Sequence, residues 1–316
     1  MQRLGIAVAV AAALCASPAA APAAAAPATL QPPLAPPFAQ IETGPSGGTL
    51  WQGLIRDPAV PALRRPTVVY LPPDFTRSRR YPVVFFLQGF PGSPYQFVSG
   101  LRLAATADAE IAAGAIPPFV AVIPPAGLDA YHGDWTGVWE TYLVRRVVGW
   151  ARRHLPIAVP ARLHTLAGLS AGGYGAIDIG LRHPGLFGVL EAWSGYFRPL
   201  RAGALVHAGP ARLAAHDPTL LARREAPALR ARGVRVFLSS GTTHDRASAA
   251  AARAFSRELA RLGVEHRLWL APGGHDGALW REQLPAALAY ALGGGARLAP
   301  TIGAHAPPLA PQGIAA

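Results

Sequence analysis

The sequence predicts an α/β fold in which a mostly parallel central sheet is covered by helices on both faces. Residues 81–87 form a continuous apolar run, which is typical of a strand that is buried on both sides. After this run, short apolar segments alternate with longer segments of helical periodicity, and that alternation predicts parallel strands joined by helices. The chain has 316 residues, of which 51% are hydrophobic, and this suffices for one large domain with its own core.

The predicted elements follow one another in a regular order. Strands are predicted where a short apolar run is bounded by glycine, proline or other turn residues, at residues 49–55, 66–71, 81–87, 119–123, 162–167, 186–193, 234–239 and 267–270. Helices are predicted from apolar spacing and stop signals, at residues 95–113, 139–154, 171–182, 247–262 and 277–292. The helices that separate the later strands are long enough to return the chain to the same end of the sheet, so those strands are expected to be parallel.

Shifts in composition predict the domain boundaries. The first segment carries a basic Arg3, then an apolar stretch and then Ala/Pro-rich sequence, a pattern that predicts a secretory signal peptide. The predicted division is a signal peptide at 1–28, a Pro/Ala-rich linker at 29–46, one domain at 47–293, and a tail without fixed structure at 294–316. Within the domain, residues 196–232 form a long insert between two strands that could line or cover a pocket.

The N-terminal pattern predicts a protein of the cell envelope or the extracellular space. Its apolar stretch is too short for a spanning helix, so the mature chain is expected to lack a transmembrane span, with a retained anchor as the alternative. Cleavage would remove Cys15, the one cysteine of the sequence, so neither a disulfide nor a cysteine-bound metal is expected. A lipid anchor on Cys15 is disfavoured because Leu14 occupies a position where a small residue is needed.

The charge balance is strongly basic. The 29 basic residues, all of them arginine, outweigh 17 acidic residues and give a formal net charge of +12. Such a surface favours attraction to an anionic cell envelope or another acidic polymer. The arginines are scattered singly and in short pairs, and no nucleic-acid recognition motif accompanies them. The sequence therefore predicts no binding to nucleic acid.

One serine lies between glycines at the junction of a predicted strand and a predicted helix. Residues 167–175 read AGLSAGGYG, so Ser170 is flanked by Gly168 and Gly172. This pattern is typical of a nucleophile elbow, where small neighbours allow a sharp turn that exposes the serine hydroxyl. A glycine-rich chain can contain the pattern by chance, so the prediction depends on the strand and the helix around it.

A serine nucleophile needs a base that takes its proton and a carboxylate that orients the base. His275 lies on a glycine-rich turn after the last predicted strand, and we predict that it is the base. Asp245 follows the strand at 234–239, and we predict that it or a near neighbour is the acid. The chain order of serine, acid and histidine, each after a strand, predicts an α/β hydrolase fold. The other candidate acids lie in a strand, on a helix or beside the base: Asp178, Glu191, Glu258 and Asp276.

The negative oxygen of a tetrahedral intermediate needs hydrogen-bond donors. The backbone N–H of Ala171, directly after the nucleophile, is one predicted donor. The backbone N–H of Phe90, in the loop at 88–93, is the other, although this loop also fits an ordinary Gly/Pro turn. Neither a metal ion nor an organic cofactor is expected. The candidates for the lining of the substrate pocket are Gln88, Asp134, Trp135 and Trp280.

Four segments resemble the esterase D branch of the α/β hydrolases, which includes the mycolyltransferases of actinobacterial cell walls. They are GLSAGGYGA around Ser170, WSGYF at 193–197, the loop from Gly241 to Asp245, and PGGHDGALW at 272–280. The resemblance implies the same roles for Ser170, Asp245 and His275. It does not imply trehalose as acceptor, because residues 88–91 read QGFP where mycolyltransferases carry Asp-Gly-Leu-Arg.

The sequence as a whole predicts an exported serine carboxylic-ester hydrolase that acts through an acyl-enzyme intermediate. Its substrate would be a small-molecule, lipid or sugar ester. Acyl transfer to a sugar or cell-wall acceptor is the first alternative, because transfer and hydrolysis share all chemistry up to the acyl-enzyme. A secreted polyester depolymerase is a weaker alternative. A noncatalytic envelope-binding protein on the same fold is the alternative from another class.

Overall fold

The computed structural model describes residues 33–60, 65–126 and 135–293. Within these ranges one sheet contains nine strands in the order β1-β2-β3-β5-β4-β6-β7-β8-β9. The strands are β1 Ala39–Thr43, β2 Thr49–Gly53, β3 Thr67–Leu71, β4 Val83–Leu87, β5 Val120–Ile123, β6 His164–Leu169, β7 Val189–Trp193, β8 Arg235–Gly241 and β9 His266–Ala271.

The sheet is antiparallel at one edge and parallel elsewhere. Strands β1, β2 and β3 pair antiparallel, and β3 pairs antiparallel with β5. From β5 through β4, β6, β7 and β8 to β9, all neighbours are parallel. Every residue of β4 and of β6 is buried, as expected for strands covered on both faces. The predicted mostly parallel α/β sheet is therefore confirmed.

Helices cover both faces of the sheet, and a hydrophobic core lies on each face. The helices are α1 Leu103–Ala112, α2 Val138–Thr141, α3 Val148–His154, α4 Ala171–Arg182, α5 Pro210–Ala214, α6 Pro218–Ala231, α7 Arg246–Arg261 and α8 Gly277–Ala291. Side chains that alternate along β4 illustrate the division, because Phe85 packs in one cluster and Phe86 in the other. In the described part of the chain, no helix is both long enough and apolar enough to cross a membrane.

Two helices that the sequence predicts as continuous are interrupted. The predicted helix at 95–113 consists of a π-helical segment, Gln96–Gly100, followed by α1, and Arg102 between them has a left-handed φ of 55°. The predicted helix at 139–154 contains a second π-helical segment, Tyr142–Val147, between α2 and α3. Gly100 ends the first π-helical segment, but an isolated glycine is tolerated within a helix and does not by itself predict a break. The second π-helical segment contains neither glycine nor proline, so apolar spacing alone does not reveal it.

The boundary predicted for the linker at 29–46 is wrong, because the sheet begins before residue 47. Strand β1 lies inside that range and pairs with β2. All five of its side chains are exposed, so the alternation that identifies a half-buried strand is absent. The insert at 196–232 is largely helical and contains α5 and α6. The predicted signal peptide at 1–28 and tail at 294–316 lie outside the described residues.

Candidate active site

Ser170 lies at the turn between β6 and α4. Its backbone angles are φ 55° and ψ −118°, a combination that L-residues rarely adopt and that is typical of a strained functional position. Its N–H donates to the carbonyl oxygen of Trp193 at 2.8 Å, which ties the turn to the next strand. A Cβ on Gly168 would overlap the backbone of Gly172, and one on Gly172 would overlap the carbonyl oxygen of Leu87. The two glycines that identified the motif are therefore needed for steric reasons.

His275 bridges the serine and an aspartate. Its Nε2 lies 2.9 Å from Ser170 Oγ, and its Nδ1 lies 3.1 Å from Asp245 Oδ2. Because a carboxylate can only accept, the network places the imidazole proton on Nδ1 and leaves Nε2 to accept from the serine hydroxyl. The side chain of His275 is 39% exposed whereas that of Asp245 is 6% exposed, so the imidazole faces solvent and the carboxylate lies behind it.

Asp245 is the carboxylate that the structure brings to His275. It lies directly before α7, after the loop that follows β8, and Ser240 Oγ donates to its Oδ2 at 3.0 Å. Asp276, although adjacent to His275 in sequence, accepts from the N–H groups of Ala278 and Leu279 and so caps α8. The other three candidate acids contact other groups: Asp178 contacts His216, Glu191 contacts Trp193, and Glu258 contacts Arg223 and Arg261.

The loop after β4 lies directly against Ser170. A Cβ on Gly89 would lie 3.1 Å from the Cβ of Ser170, so the loop backbone and the serine are in close approach. The N–H of Gly89 donates to Gln96 Oε1 at 2.9 Å, which fixes the course of the loop. Phe90 is 45% exposed. Ala171 is the first residue of α4, where backbone N–H groups have no acceptor within the helix.

Of the four predicted pocket residues, Gln88 and Trp135 support the loop after β4, Trp280 lies beside His275, and Asp134 is not described. Gln88 and Trp135 are only 5% and 2% exposed, and the indole of Trp135 donates to the carbonyl oxygen of Gln88 at 3.0 Å. Gln88 Nε2 in turn donates to the carbonyl oxygen of Gly92, so both side chains support the loop from inside the molecule. Trp280 is 9% exposed and its ring meets the His275 ring edge-on, with centroids 5.2 Å apart. Asp134 lies outside the described residues.

Sequence reasoning missed three polar residues of the site. Gln96 holds the loop after β4, Ser240 holds Asp245, and Ser194 Oγ accepts from the indole N–H of Trp280 at 3.1 Å. Ser194 belongs to the WSGYF segment, and this was the only signal that could have drawn attention to it. Gln96 and Ser240 lie in a helical segment and at a strand end, where polar residues are common.

A partly buried charge cluster joins the far end of α4 to α2 and to the insert. Arg182 Nη1 donates to Glu140 Oε2 at 2.6 Å, and His183 Nε2 lies 2.7 Å from Oε1 of the same carboxylate. Asp178 Oδ2 lies 2.9 Å from Nδ1 of His216 in the insert. Burial raises the pKa of the Asp178 carboxyl, and the hydrogen bond with His216 only partly offsets this rise. Burial acts in the same direction on Glu140, but His183 and Arg182 together hold the pKa of that carboxyl below its usual value.

A groove lies between the insert and α7. Its volume is about 390 Å³, and Leu200, Phe197 and Phe255 contribute apolar walls. The rings of Phe197 and Phe255 stack with centroids 4.3 Å apart and planes 7° apart. The lining includes none of Ser170, Asp245 and His275. The insert therefore lines a groove, as the sequence suggested, but that groove does not contain the candidate triad.

Comparison with known proteins identifies the family. The sequence profile of the family described as "Putative esterase" matches residues 62–291, which is more than half of the 316-residue chain. The chain belongs to this esterase family. Two curated relatives of this esterase-family protein, Esterase Rv1288 and Esterase MT1326, come from two strains of Mycobacterium tuberculosis, and each is 25% identical over 66% of this chain and 51% of its own length. The chain thus spans about half the length of these relatives.

Solved structures share the fold of this esterase-family protein. A ferulic acid esterase has a TM-score of 0.68 at 19% identity, with 78% of this chain and 98% of the other covered. FphF, a fluorophosphonate-binding serine hydrolase of Staphylococcus aureus, has a TM-score of 0.63 at 17% identity, with 78% and 98% covered. MPT51 of M. tuberculosis has a TM-score of 0.57 at 19% identity, with 77% and 97% covered. These likenesses confirm the predicted α/β hydrolase fold.

Proposed function

We propose that this protein is a serine carboxylic-ester hydrolase. The observation that carries the proposal is the line of hydrogen-bond distances from Asp245 through His275 to Ser170, 3.1 Å and 2.9 Å long. Both lengths are within hydrogen-bond range, so they support a reaction in which His275 takes the serine proton while Asp245 orients its ring. Membership of the esterase family supports the same reaction class.

In the proposed reaction, His275 Nε2 takes the hydroxyl proton of Ser170 while Oγ attacks the ester carbonyl carbon. Asp245 stabilises the resulting imidazolium, and the backbone N–H groups of Phe90 and Ala171 would donate to the negative oxygen of the tetrahedral intermediate. When the intermediate collapses, the alcohol leaves with the proton from His275 and an acyl-serine remains. A water molecule, deprotonated by His275, then attacks the acyl carbon. The bond between this carbon and Ser170 Oγ breaks, His275 returns the proton to Oγ, and the carboxylic acid is released.

The experiment that tests this proposal is labelling with a fluorophosphonate probe, combined with hydrolysis of p-nitrophenyl esters. A protein of the same fold is described as fluorophosphonate-binding, which supports this choice of probe. Ser170→Ala should abolish labelling and lower kcat by several orders of magnitude. Ser256→Ala is the matched control, because Ser256 lies in α7 and bonds to His266 instead. Labelling that survives in Ser170→Ala would contradict the proposal. If the wild type hydrolyses no ester of any chain length, a noncatalytic binding protein is favoured instead.

We infer that an ester with an apolar or aromatic acyl group is the better substrate. Phe90 is 45% exposed on the loop that abuts Ser170, so an apolar group bound near the nucleophile would cover this ring. The fold likeness to a ferulic acid esterase supports a trial of aromatic acyl esters. A profile of kcat/KM over acetyl, butyryl, octanoyl and feruloyl esters measures the preference. A strict preference for acetyl esters would contradict the inference.

Acyl transfer is the second candidate. The side chain of His275 is 39% exposed, so an acceptor alcohol could reach the acyl-serine as readily as water. Product analysis in the presence of a sugar separates the two reactions, because transfer yields an acylated sugar whereas hydrolysis yields free acid alone.

We further propose export, supported by the N-terminal sequence pattern alone. The net charge of +12 supports association of the exported protein with an anionic envelope. N-terminal sequencing of the protein from culture fluid and from envelope fractions tests export. Release from the envelope by salt tests the charge-driven association.

A further inference from the structure

Ser194 occupies an unusual position directly after β7. Its φ is 50°, in the left-handed region that glycine adopts without strain, and the residue is 1% exposed. Its N–H donates to the carbonyl oxygen of Ser239 at 2.7 Å. Its Oγ accepts from the indole N–H of Trp280 at 3.1 Å. The backbone here favours glycine, so the hydroxyl group is the feature that serine adds.

Each member of the candidate triad is linked to Ser194 through one or two intervening residues. The residue before it, Trp193, accepts the N–H of Ser170. Its partner Ser239 precedes Ser240, which donates to Asp245. Its other partner Trp280 packs edge-on against the ring of His275, at 5.2 Å and 78°. Ser194 is thus linked to Ser170 through Trp193, to Asp245 through Ser239 and Ser240, and to His275 through Trp280.

We propose that Ser194 and Trp280 are positioning residues for the base. Their hydrogen bond holds the indole edge against the imidazole, so that His275 stays in line with both Ser170 and Asp245. His275 needs such support because it lies on a loop after β9 and its side chain is 39% exposed. Displacement of a catalytic group by about 1 Å can lower a rate about 100-fold. This inference rests on the proposed function. It assigns Trp280 to the support of His275, whereas the sequence predicted that Trp280 lines the substrate pocket.

The test separates the hydrogen bond from the packing. Trp280→Phe keeps an aromatic ring and removes the donor, whereas Ser194→Ala removes the acceptor without changing the backbone requirement. Each single variant should lower kcat about 10-fold with KM nearly unchanged, and each should shift the pH profile of kcat/KM. The double variant should fall no further than the worse single variant, because the two substitutions remove the same interaction.

Trp139→Phe is the matched control. Trp139 is similarly buried, at 7%, but it packs edge-on against Tyr142. The control should keep the wild-type kcat and pH profile even if its stability falls. If Trp280→Phe behaves like this control, or if the effects of Ser194→Ala and Trp280→Phe multiply, the positioning role is wrong.

A second readout does not depend on turnover. The ¹⁵N resonances of the His275 imidazole report its tautomer, and in the wild type they should show a proton fixed on Nδ1. In Trp280→Phe and Ser194→Ala they should shift toward a mixture of tautomers. Unchanged resonances would overturn the inference, whereas an inactive wild type with these shifts would overturn only the proposed function.

Discussion

Ser240 donates a hydrogen bond to Oδ2 of Asp245 at 3.0 Å, and this is the same oxygen that lies 3.1 Å from Nδ1 of His275. One carboxylate oxygen therefore accepts hydrogen bonds from both the Ser240 hydroxyl, in the sheet, and the His275 imidazole, on the loop after β9. The serine is fully buried at the end of β8, so it fixes the carboxylate from the side that solvent does not reach. Hydrogen bonds to charged groups are the stronger ones, and this geometry uses two of them at one atom.

Asp245→Asn should lower kcat about 10³- to 10⁴-fold, because an amide cannot hold the imidazole in the tautomer that accepts from serine. The measurement is p-nitrophenyl ester hydrolysis by folded protein, with the fold checked by circular dichroism. Asp276→Asn serves as control. Asp276 caps α8, so this variant should keep most activity and lose at most about 1 kcal/mol of stability. The reverse pattern would assign the acid to Asp276.

Ser240→Ala should lower kcat about 10-fold, because it removes one of the two groups that orient Asp245. The neighbouring Ser239 provides the control. Its Oγ is buried and, among the described residues, has no hydrogen-bond partner, so Ser239→Ala should leave kcat unchanged. Steady-state kinetics of the two variants are compared directly. Equal losses in both would show that the effect arises from packing at the strand end and not from the bond to Asp245.

Gly172→Ala should destabilise the protein by about 3 kcal/mol or more, because the new methyl group would meet the carbonyl oxygens of Leu87 and Gln88. Urea unfolding and the yield of soluble protein measure the effect. Gly185→Ala is the control, since nothing lies within 4 Å of a Cβ at that position. A stable and active Gly172→Ala protein would mean that the elbow tolerates a larger neighbour than the structure allows.

The sequence predicts those parts of the fold that depend on local patterns. Helix α4 was predicted at its observed bounds, because an apolar strand precedes it and His183-Pro184-Gly185 ends it. Strand β1 was missed because all its side chains are exposed. The break at Arg102 was missed because its one local signal, Gly100, is an isolated glycine that a helix tolerates. Local chemistry thus predicts buried, regular elements and fails where only pairing with a neighbour defines the element.

The same distinction applies to the candidate site. Ser170 and His275 lie at sharp, glycine-rich turns, and turns of this kind are visible in sequence. The bond between Trp280 and Ser194 joins residues 86 positions apart, and the bond between Gln88 and Trp135 joins residues 47 apart. Such contacts leave no periodic signal in the chain. The sequence could therefore indicate that Trp280 and Gln88 belong near the site but not that they support it from within.

Glu191 provides the last prediction, which concerns stability against pH. It lies in β7, and burial raises its pKa to about 8 from an ordinary value of 4.5, partly opposed by the hydrogen bond from the indole of Trp193. In the unfolded chain this carboxyl ionises near its ordinary value, so folding between these two pKa values requires uptake of a proton. Stability should therefore fall as pH rises from about 4.5 to about 8, by up to about 1.4 kcal/mol per pH unit from this group.

Glu191→Gln removes the titration while keeping the shape of the side chain. At pH 4.5 the variant and the wild type should have similar free energies of unfolding, because the native carboxyl is neutral there and behaves like the amide. At pH 8 the variant should be the more stable protein, since the wild type then either takes up a proton or buries a charge. Urea unfolding at pH 4.5, 6 and 8 measures the difference, with Glu282→Gln on the exposed face of α8 as control. A difference between Glu191→Gln and wild type that stays constant over this range would mean that Glu191 has the same pKa in the folded and the unfolded protein, and would contradict the prediction.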